Sequence, residues 1–548
     1  MVDHRYADIA TEQPSFEEVV HASGPGSVNR SVNRNASRAR SAGPAGSAPP
    51  SSSAEPASSA TDSSAAPSTG PSPQSARDWL RQLAPNDAAR RGSAARPAES
   101  ALEPTGSVVG LRNAPLRIAL VALIALVMLG PLMTIGEGGN IGEGSVTRQI
   151  GYLAIFALTL YAIRPTATPG TLLAFSWPVL LAFAWCWASL SWAIDPAIAF
   201  RRVLLTTLVA WMVFSLVRHG GYRLSADILR YALLVSVLIS YAFVAFDPPI
   251  GVHLMSDSEI PVALIGNWRG FLGHKNFAGA VCTLCILMFL FDAKHIRPAI
   301  RILAIVVAGY FLIRSQSKTS AGMLVLASLG GLIFETVSIR LRRYLIPILT
   351  IGMSAVWFLT SAYADMVQTN FLNPTAFTGR GHIWSALLKY AGDHLVFGAG
   401  FGSFWNIEAG SPIREYGQGY VTKITVGHSG YLDQLVTVGL PGVLLMIFAV
   451  AVWPLARLLI SPSISKGQGA LIAAMLMFCI GHNITESGLF ERDGIVSTMF
   501  FFAVAFAQLA TTGDGRAKSP NQAGDDVMRE LRRRKRANHR PVMTAGGA

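Results

Sequence analysis

Charge is scarce in this chain. Only 14% of its 548 residues are Asp, Glu, Lys or Arg, while 51% are hydrophobic. Soluble domains usually carry about 25% charged residues, so an ordinary soluble enzyme is excluded. Cysteine is scarce too, with four residues: Cys186, Cys282, Cys285 and Cys479. All fall inside apolar runs. Cys282-Thr-Leu-Cys285 is followed by no second ligand pair, so neither zinc nor a disulfide framework is expected. These cysteines read as small apolar filler. The first residues lack the apolar core of a signal peptide. Residues 1–106 are instead polar and rich in Ser, Ala, Pro and Arg. Such a segment cannot bury enough apolar surface to fold, and a disordered cytoplasmic tail is expected.

What the chain has in abundance is long apolar runs. About twelve are long enough to span a bilayer. They lie near 116–133, 149–163, 171–190, 199–217, 228–246, 276–292, 298–314, 319–336, 344–363, 429–455, 467–487 and 494–511. The expected fold is an all-α polytopic membrane protein with one helical domain over 115–511 and a basic tail over 512–548. Arginine and lysine gather in alternate connections: Arg218 to Arg230, Lys294 to Arg301, Arg340 to Arg343, and Arg457 to Lys466. The positive-inside rule then places these connections and both termini in the cytoplasm. The net charge of +13 follows from the same pattern. The tail cluster Arg532-Arg533-Arg534-Lys535-Arg536 suits anchoring to anionic lipid. No nucleic-acid fold signature accompanies it, so no nucleic-acid partner is expected.

This topology leaves one large outer loop, 364–427. Ile383, Trp384, Leu387 and Leu388 share a helical face there, which predicts an amphipathic helix able to lie on the outer leaflet. The loop opens its polar segment with Thr378-Gly379-Arg380 and runs to His428-Ser429. Gly439-Leu440-Pro441-Gly442 follows nine residues later.

Outward-facing cations are informative because most basic residues face the other way. Arg380, Arg201 and Arg202, Arg314, Lys318, Lys275 and Arg269 are such exceptions. Cations near a span are costly unless paired or functional. Arginine suits phosphate oxygens. The plainer reading of any one of them is snorkelling to headgroups. It is preferred for Arg269, Lys275, Arg314 and Lys318 taken singly, and a role on substrate for Arg380 and the Arg201-Arg202 pair. His428 is the leading base candidate, because histidine exchanges a proton near neutral pH. A lone histidine at a helix end is otherwise structural, and His382, His394 and His482 compete with it. Glu486, in Gly481-His482-Asn483-Ile484-Thr485-Glu486, is the second base candidate or an orienting group. Phe397-Gly398-Ala399-Gly400-Phe401-Gly402 opens no Rossmann unit and reads as a tightly turned loop.

Taken together, these blocks resemble the O-antigen ligase and polysaccharide polymerase family. The matching features are His428-Ser429 with Gly439-x-x-Gly442, Thr378-Gly379-Arg380 with Trp384, Ser191-Trp192 with Asp195-Pro196 and the arginines after it, and Phe397–Phe404. Trp268-Arg269-Gly270, Gly273-His274-Lys275-Asn276, Asn483 and Glu486 look closer to exopolysaccharide polymerases than to lipopolysaccharide ligases. The resemblance covers about 115–510. It implies a metal-independent, inverting glycosyltransferase of GT-C-like architecture in the bacterial inner membrane, with no cofactor. The donor would be a glycan on undecaprenyl diphosphate, and the acceptor another lipid-linked unit, or lipid A core for a ligase. Polysaccharide export and chain-length proteins would be further partners. His428 would take the acceptor proton, with Glu486 as second candidate. Arg380, Arg201 and Arg202 would hold the diphosphate, with Arg314, Lys318 and Lys275 as further substrate cations. The rival of another class is a lipid-linked sugar flippase. Transporters tend to show repeats and broken midplane helices, whereas here the polar residues gather in one loop. An inactive assembly partner is a third reading, against which intact His428 and Arg380 count.

Overall fold

The apolar runs form helices because a lipid-facing backbone must satisfy its own hydrogen bonds. The computed structural model describes residues 114–135, 145–165, 172–255, 264–368, 380–407 and 410–512. The expected tails 1–106 and 512–548, apart from Thr512, lie outside the described residues, as do Thr378 and Gly379. In chain order the main helices are α1 (Ala114–Ile135), α2 (Val146–Ile163), α3 (Trp177–Ala188) and α4 (Pro196–Phe246). Then come α5 (Lys275–Leu290), α6 (Pro298–Ser315), α7 (Lys318–Thr336) and α8 (Ile339–Gln368). The last four are α9 (Arg380–Asp393), α10 (Gly430–Ile447), α11 (Lys466–Thr485) and α12 (Ile495–Thr511). The α10 axis continues through a π turn at Phe448–Val452 into Trp453–Ile460.

The chain is an all-α, multi-pass membrane protein. Among the described residues, seven helices are by themselves long and apolar enough to cross a bilayer. One of them is the 51-residue α4, which breaks at Gly221 and so covers two expected runs. Each expected run falls on a helix. The helix α11 is central, with 83% of its apolar window buried, whereas α2 is peripheral at 22%. The core around α11 and α12 is made by Phe478, Phe501, Phe502 and Phe506. The four cysteines are buried and unpaired.

The alternation of helix directions gathers one set of ends together. The starts of α2, α4, α5, α7, α10 and α12 share an end of the bundle with the finishes of α6 and α11. Local caps define several of these starts. Asp195 accepts from the Ile198 amide (2.9 Å) ahead of Pro196 at the first turn of α4. His274 Nδ1 accepts from the Asn276 amide (3.2 Å) and opens α5. Ser429 caps α10. The arginine-rich connections occupy the opposite end.

The amphipathic helix of the large loop forms as α9, but it does not lie free on a leaflet. Ile383, Ala386, Leu387 and Tyr390 pack with Phe404, Ile413, Val421 and Val436 in a second, smaller core. Leu388, expected on the same face, is exposed. The helix turned its buried stripe toward the loop because Phe404 and Val421 supply a closer apolar partner than lipid does.

Candidate active site

The loop that carries α9 is fixed to the bundle mainly by backbone. Residues 395–399 hook onto α10 where that helix breaks. Gly439 has φ +69, and a Cβ there would collide with the Val396 carbonyl. The break frees polar groups that find partners in the loop and in α3. Leu440 N donates to the Leu395 carbonyl (2.7 Å), Ala399 N to the Val436 carbonyl (2.8 Å), and Trp185 Nε1 to the Val438 carbonyl (2.9 Å). This is the structural meaning of the Gly439-x-Pro441-Gly442 pattern.

The other motifs dock the same loop from the opposite side. Trp192 Nε1 donates to the Phe397 carbonyl (2.9 Å), and the Asp195 amide donates to Ser403 Oγ (2.6 Å). Arg202 donates to the carbonyls of Gly402, Trp405 (2.7 Å) and Asn406 (3.1 Å). Ser191–Arg202 and Phe397–Phe404, read separately in the sequence, are therefore two halves of one joint.

That joint delivers His428 to its place. Trp384 Nε1, on α9, donates to the Gly427 carbonyl (2.9 Å). The Gly427 amide donates to Asp433 Oδ1 (3.0 Å), which also accepts from Trp405 Nε1 (3.1 Å). Held on both sides at Gly427, the chain passes through His428 in the left-handed region (φ +51). A non-glycine residue there costs conformational energy and persists where the surroundings impose it. Two residues on, Gly430 leaves no room for a Cβ against Asn483, and its amide donates to the Glu486 carbonyl (3.1 Å).

Glu486 is the hub of the site. It stands just past the end of α11 and is only 7% exposed. Its Oε1 accepts from Arg380 Nη2 (2.6 Å) and from Asn276 Nδ2 (2.7 Å). Its Oε2 lies 3.7 Å from His428 Nδ1, just outside direct hydrogen-bond range. Burial alone would raise this carboxyl, but contact with His428 and the charge of Arg380 outweigh it and hold the group at about 2. Glu486 is thus a fixed anion at neutral pH. His274, buried beside this group, is pushed down to about 4 by that burial, with the Glu486 charge opposing the shift. It is a neutral capping group.

The structure brings together four of the expected residues, His428, Glu486, Arg380 and Lys275. Lys275 interacts electrostatically with Lys318, Glu486 and Arg380, and its Nζ donates to the Gln316 carbonyl (3.3 Å). Lys318 adds charge at the rim. Arg314 stacks over Trp268, with 5.0 Å from its guanidinium carbon to the ring centre. Arg201 and Arg202 line a separate cavity, together with Arg148, Arg492 and Asp493. Among the competing histidines, His382 is exposed, His394 stacks on Tyr390, and His482 is buried in α11. Asn276 was visible only as a motif letter; its role as a Glu486 ligand depends on a contact 210 residues away. Asp433, the clamp on Gly427, carried no signal, being one acidic residue inside an apolar run.

Among the described residues, no three His, Cys, Asp or Glu side chains form a group suited to a metal ion. The arrangement offers an imidazole oriented by a fixed carboxylate, beside several cations, at the end of a membrane bundle. That is the equipment for removing a hydroxyl proton next to an anionic leaving group. No curated protein matches the chain. Over residues 279–447 the chain matches the family model described as O-antigen ligase, so the segment holding both Arg380 and His428 is similar to the domain of that family to which its motifs already pointed.

Proposed function

We propose that this protein is a polymerase of lipid-linked glycans, joining repeat units carried on undecaprenyl diphosphate at the periplasmic face of the inner membrane. The observation that carries the reading is the convergence of His428, Glu486 and Arg380 within one constellation. Glu486 faces Nδ1 of the imidazole, which leaves Nε2 to accept the proton of the acceptor hydroxyl. Fixing a base in this way is the familiar orienting role of a third group. The acceptor oxygen then attacks the anomeric carbon and the diphosphate leaves with the bonding pair, which inverts that centre. Charge grows on the phosphate oxygens, where Arg380, Lys275 and Lys318 oppose it. Glycan profiling of a strain lacking the protein tests the assignment. A polymerase predicts accumulation of single repeat units. Full-length chains stranded on undecaprenyl diphosphate would instead make it a ligase.

The proposal needs the site to face the periplasm and both tails to lie inside. Ser411 is buried and donates to the Phe404 carbonyl (2.7 Å), so it cannot report exposure. Gln418 is exposed. Gln418→Cys should react with an impermeant thiol reagent on intact spheroplasts, and Ser519→Cys should react only after lysis. The reverse pattern would invert the topology and sink the functional reading with it.

A further inference from the structure

His428 and Glu486 do not hold each other in place. Nδ1 and Oε2 stand 3.7 Å apart, beyond direct hydrogen-bond range, and the imidazole is 30% exposed. Their separation is set by the two backbone segments that carry them, 427–430 and 486–489. The first turn of α10 joins these segments. The Gly430 amide donates to the Glu486 carbonyl (3.1 Å), and Gln434 Nε2 donates to the Leu489 carbonyl (2.6 Å). Asp433 reaches both segments with one side chain. Its Oδ1 accepts from the Gly427 amide (3.0 Å), one residue before His428. Its Oδ2 accepts from Ser487 Oγ, one residue after Glu486. Trp405 Nε1 also donates to Oδ1 (3.1 Å), and the Trp405 carbonyl is itself held by Arg202 (2.7 Å).

An acidic residue in the first turn of a helix ordinarily serves the helix dipole from the surface. Asp433 stands elsewhere. It is only 8% exposed, and a buried carboxylate is costly unless donors surround it. Three donors do so here. The fit is close, because a Cβ at Gly427 would strike Oδ1. The backbone at His428 needs such a grip. Its φ of +51 persists only where the flanking residues are pinned. Gly427 is pinned by the Asp433 carboxylate and Trp384, and the Ser429 carbonyl by the Asp433 amide (2.8 Å). One residue therefore grips the chain before and after the imidazole, and the chain after Glu486 as well.

We propose that Asp433 is a positioning residue for the transfer reaction: it fixes the distance between the imidazole of His428 and the carboxylate of Glu486, and takes no proton itself. The proposal rests on His428 as the base and Glu486 as its orienting group, and it holds equally for a polymerase or a ligase. Steady-state kinetics of the reconstituted full chain on an undecaprenyl-diphosphate-linked repeat unit test it. Asp433→Ala should lower kcat by about 10²-fold, the cost of misplacing a catalytic group by about 1 Å. KM for the lipid-linked donor should not change. Asp433→Asn should recover most of the loss. Its carboxamide oxygen can accept from Gly427 and Trp405 while its NH₂ donates to Ser487 Oγ. Ser487→Ala breaks only the link on the Glu486 side, at a half-buried position whose truncation the fold tolerates. It should lower kcat about five- to tenfold, the worth of one hydrogen bond. In a Glu486→Gln background the same change should cost almost nothing, because the contact it maintains is already gone. Should Asp433→Ala fail to accumulate, Ser487→Ala and this cycle decide. An Asn variant as poor as the Ala variant would overturn the proposal by making the charge at the helix start the working feature. Normal kcat in Ser487→Ala, an equal loss in the Glu486→Gln background, or a raised KM in place of a lowered kcat would overturn it too. Near-native turnover of His428→Gln marks a different failure, that of the base assignment; with His428→Gln impaired, the outcomes above bear on Asp433 alone.

Discussion

His428→Ala should lower glycan transfer by about 10²–10⁴-fold, the usual contribution of a positioned general base. Protein level and donor binding should stay near wild type, because the cations that face the diphosphate are untouched. The imidazole is 30% exposed, so its removal leaves no large cavity in a core. His428→Gln separates base from orienter: it can hydrogen-bond but cannot take a proton. Near-native turnover of His428→Gln in a reconstituted assay would remove the base role and pass it to Glu486. The pH profile gives an independent check. The carboxyl of Glu486 is held at about 2, below its ordinary 4.5. Its depressed value means the stability it contributes is complete above about 4.5 and is lost as pH falls toward 2. Loss of turnover between about pH 7 and 5 therefore points to an imidazole. A profile flat down to pH 5 would count against an ordinary imidazole as the base.

Arg380→Ala should lower transfer by about 10²–10³-fold, the range seen when one preorganised charge-stabilising donor is removed. Two contributions are combined in that number. Arg380 anchors Glu486 through a 2.6 Å contact, and the proposal also aims it at the diphosphate. A double-mutant cycle with Glu486→Gln separates them. If Arg380 only positions Glu486, the second substitution should add almost nothing and donor affinity should hold. If it also touches phosphate, Arg380→Ala should weaken donor binding where Glu486→Gln does not. Arg380→Lys should be intermediate, because lysine keeps the charge but lacks the planar fork. Wild-type output from a well-expressed Arg380→Ala would exclude both roles.

The pattern of what could be read in advance follows from where the information lies. Apolar runs are local, and each of them falls on a helix. The break of α4 at Gly221 falls between the two runs 199–217 and 228–246. Arg380 and His428 were legible because both lie in the one long polar stretch, and cations and bases are conspicuous there. The Arg201-Arg202 pair was legible as charge but not as geometry. Adjacent helical residues point about 100° apart; Arg202 donates to three loop carbonyls, yet both arginines line the cavity between α2 and α4. Arg148, in the first turn of α2, and Arg492 and Asp493, in the connection from α11 to α12, converge only once the bundle is assembled. Nothing in their local sequence distinguishes them from charges at any helix end. The same holds for Asn276, which has meaning only opposite Glu486.

The hook between residues 395–399 and the broken turn of α10 uses main-chain atoms from the loop. Its specificity is concentrated on two glycines, one on each side: a Cβ at Gly398 (φ +62) would collide with the Thr437 carbonyl, as one at Gly439 would with that of Val396. Leu395, Val396 and Phe397 are exposed, and the carbonyls that Leu395 and Phe397 contribute are ones most residues could supply. A homologous chain could vary at these three positions, changing its surface toward a different sugar, while the spacing between cation and base stayed constant. Substrate range and catalytic geometry would then be inherited separately, and the glycines would record the second while the exposed loop positions recorded the first.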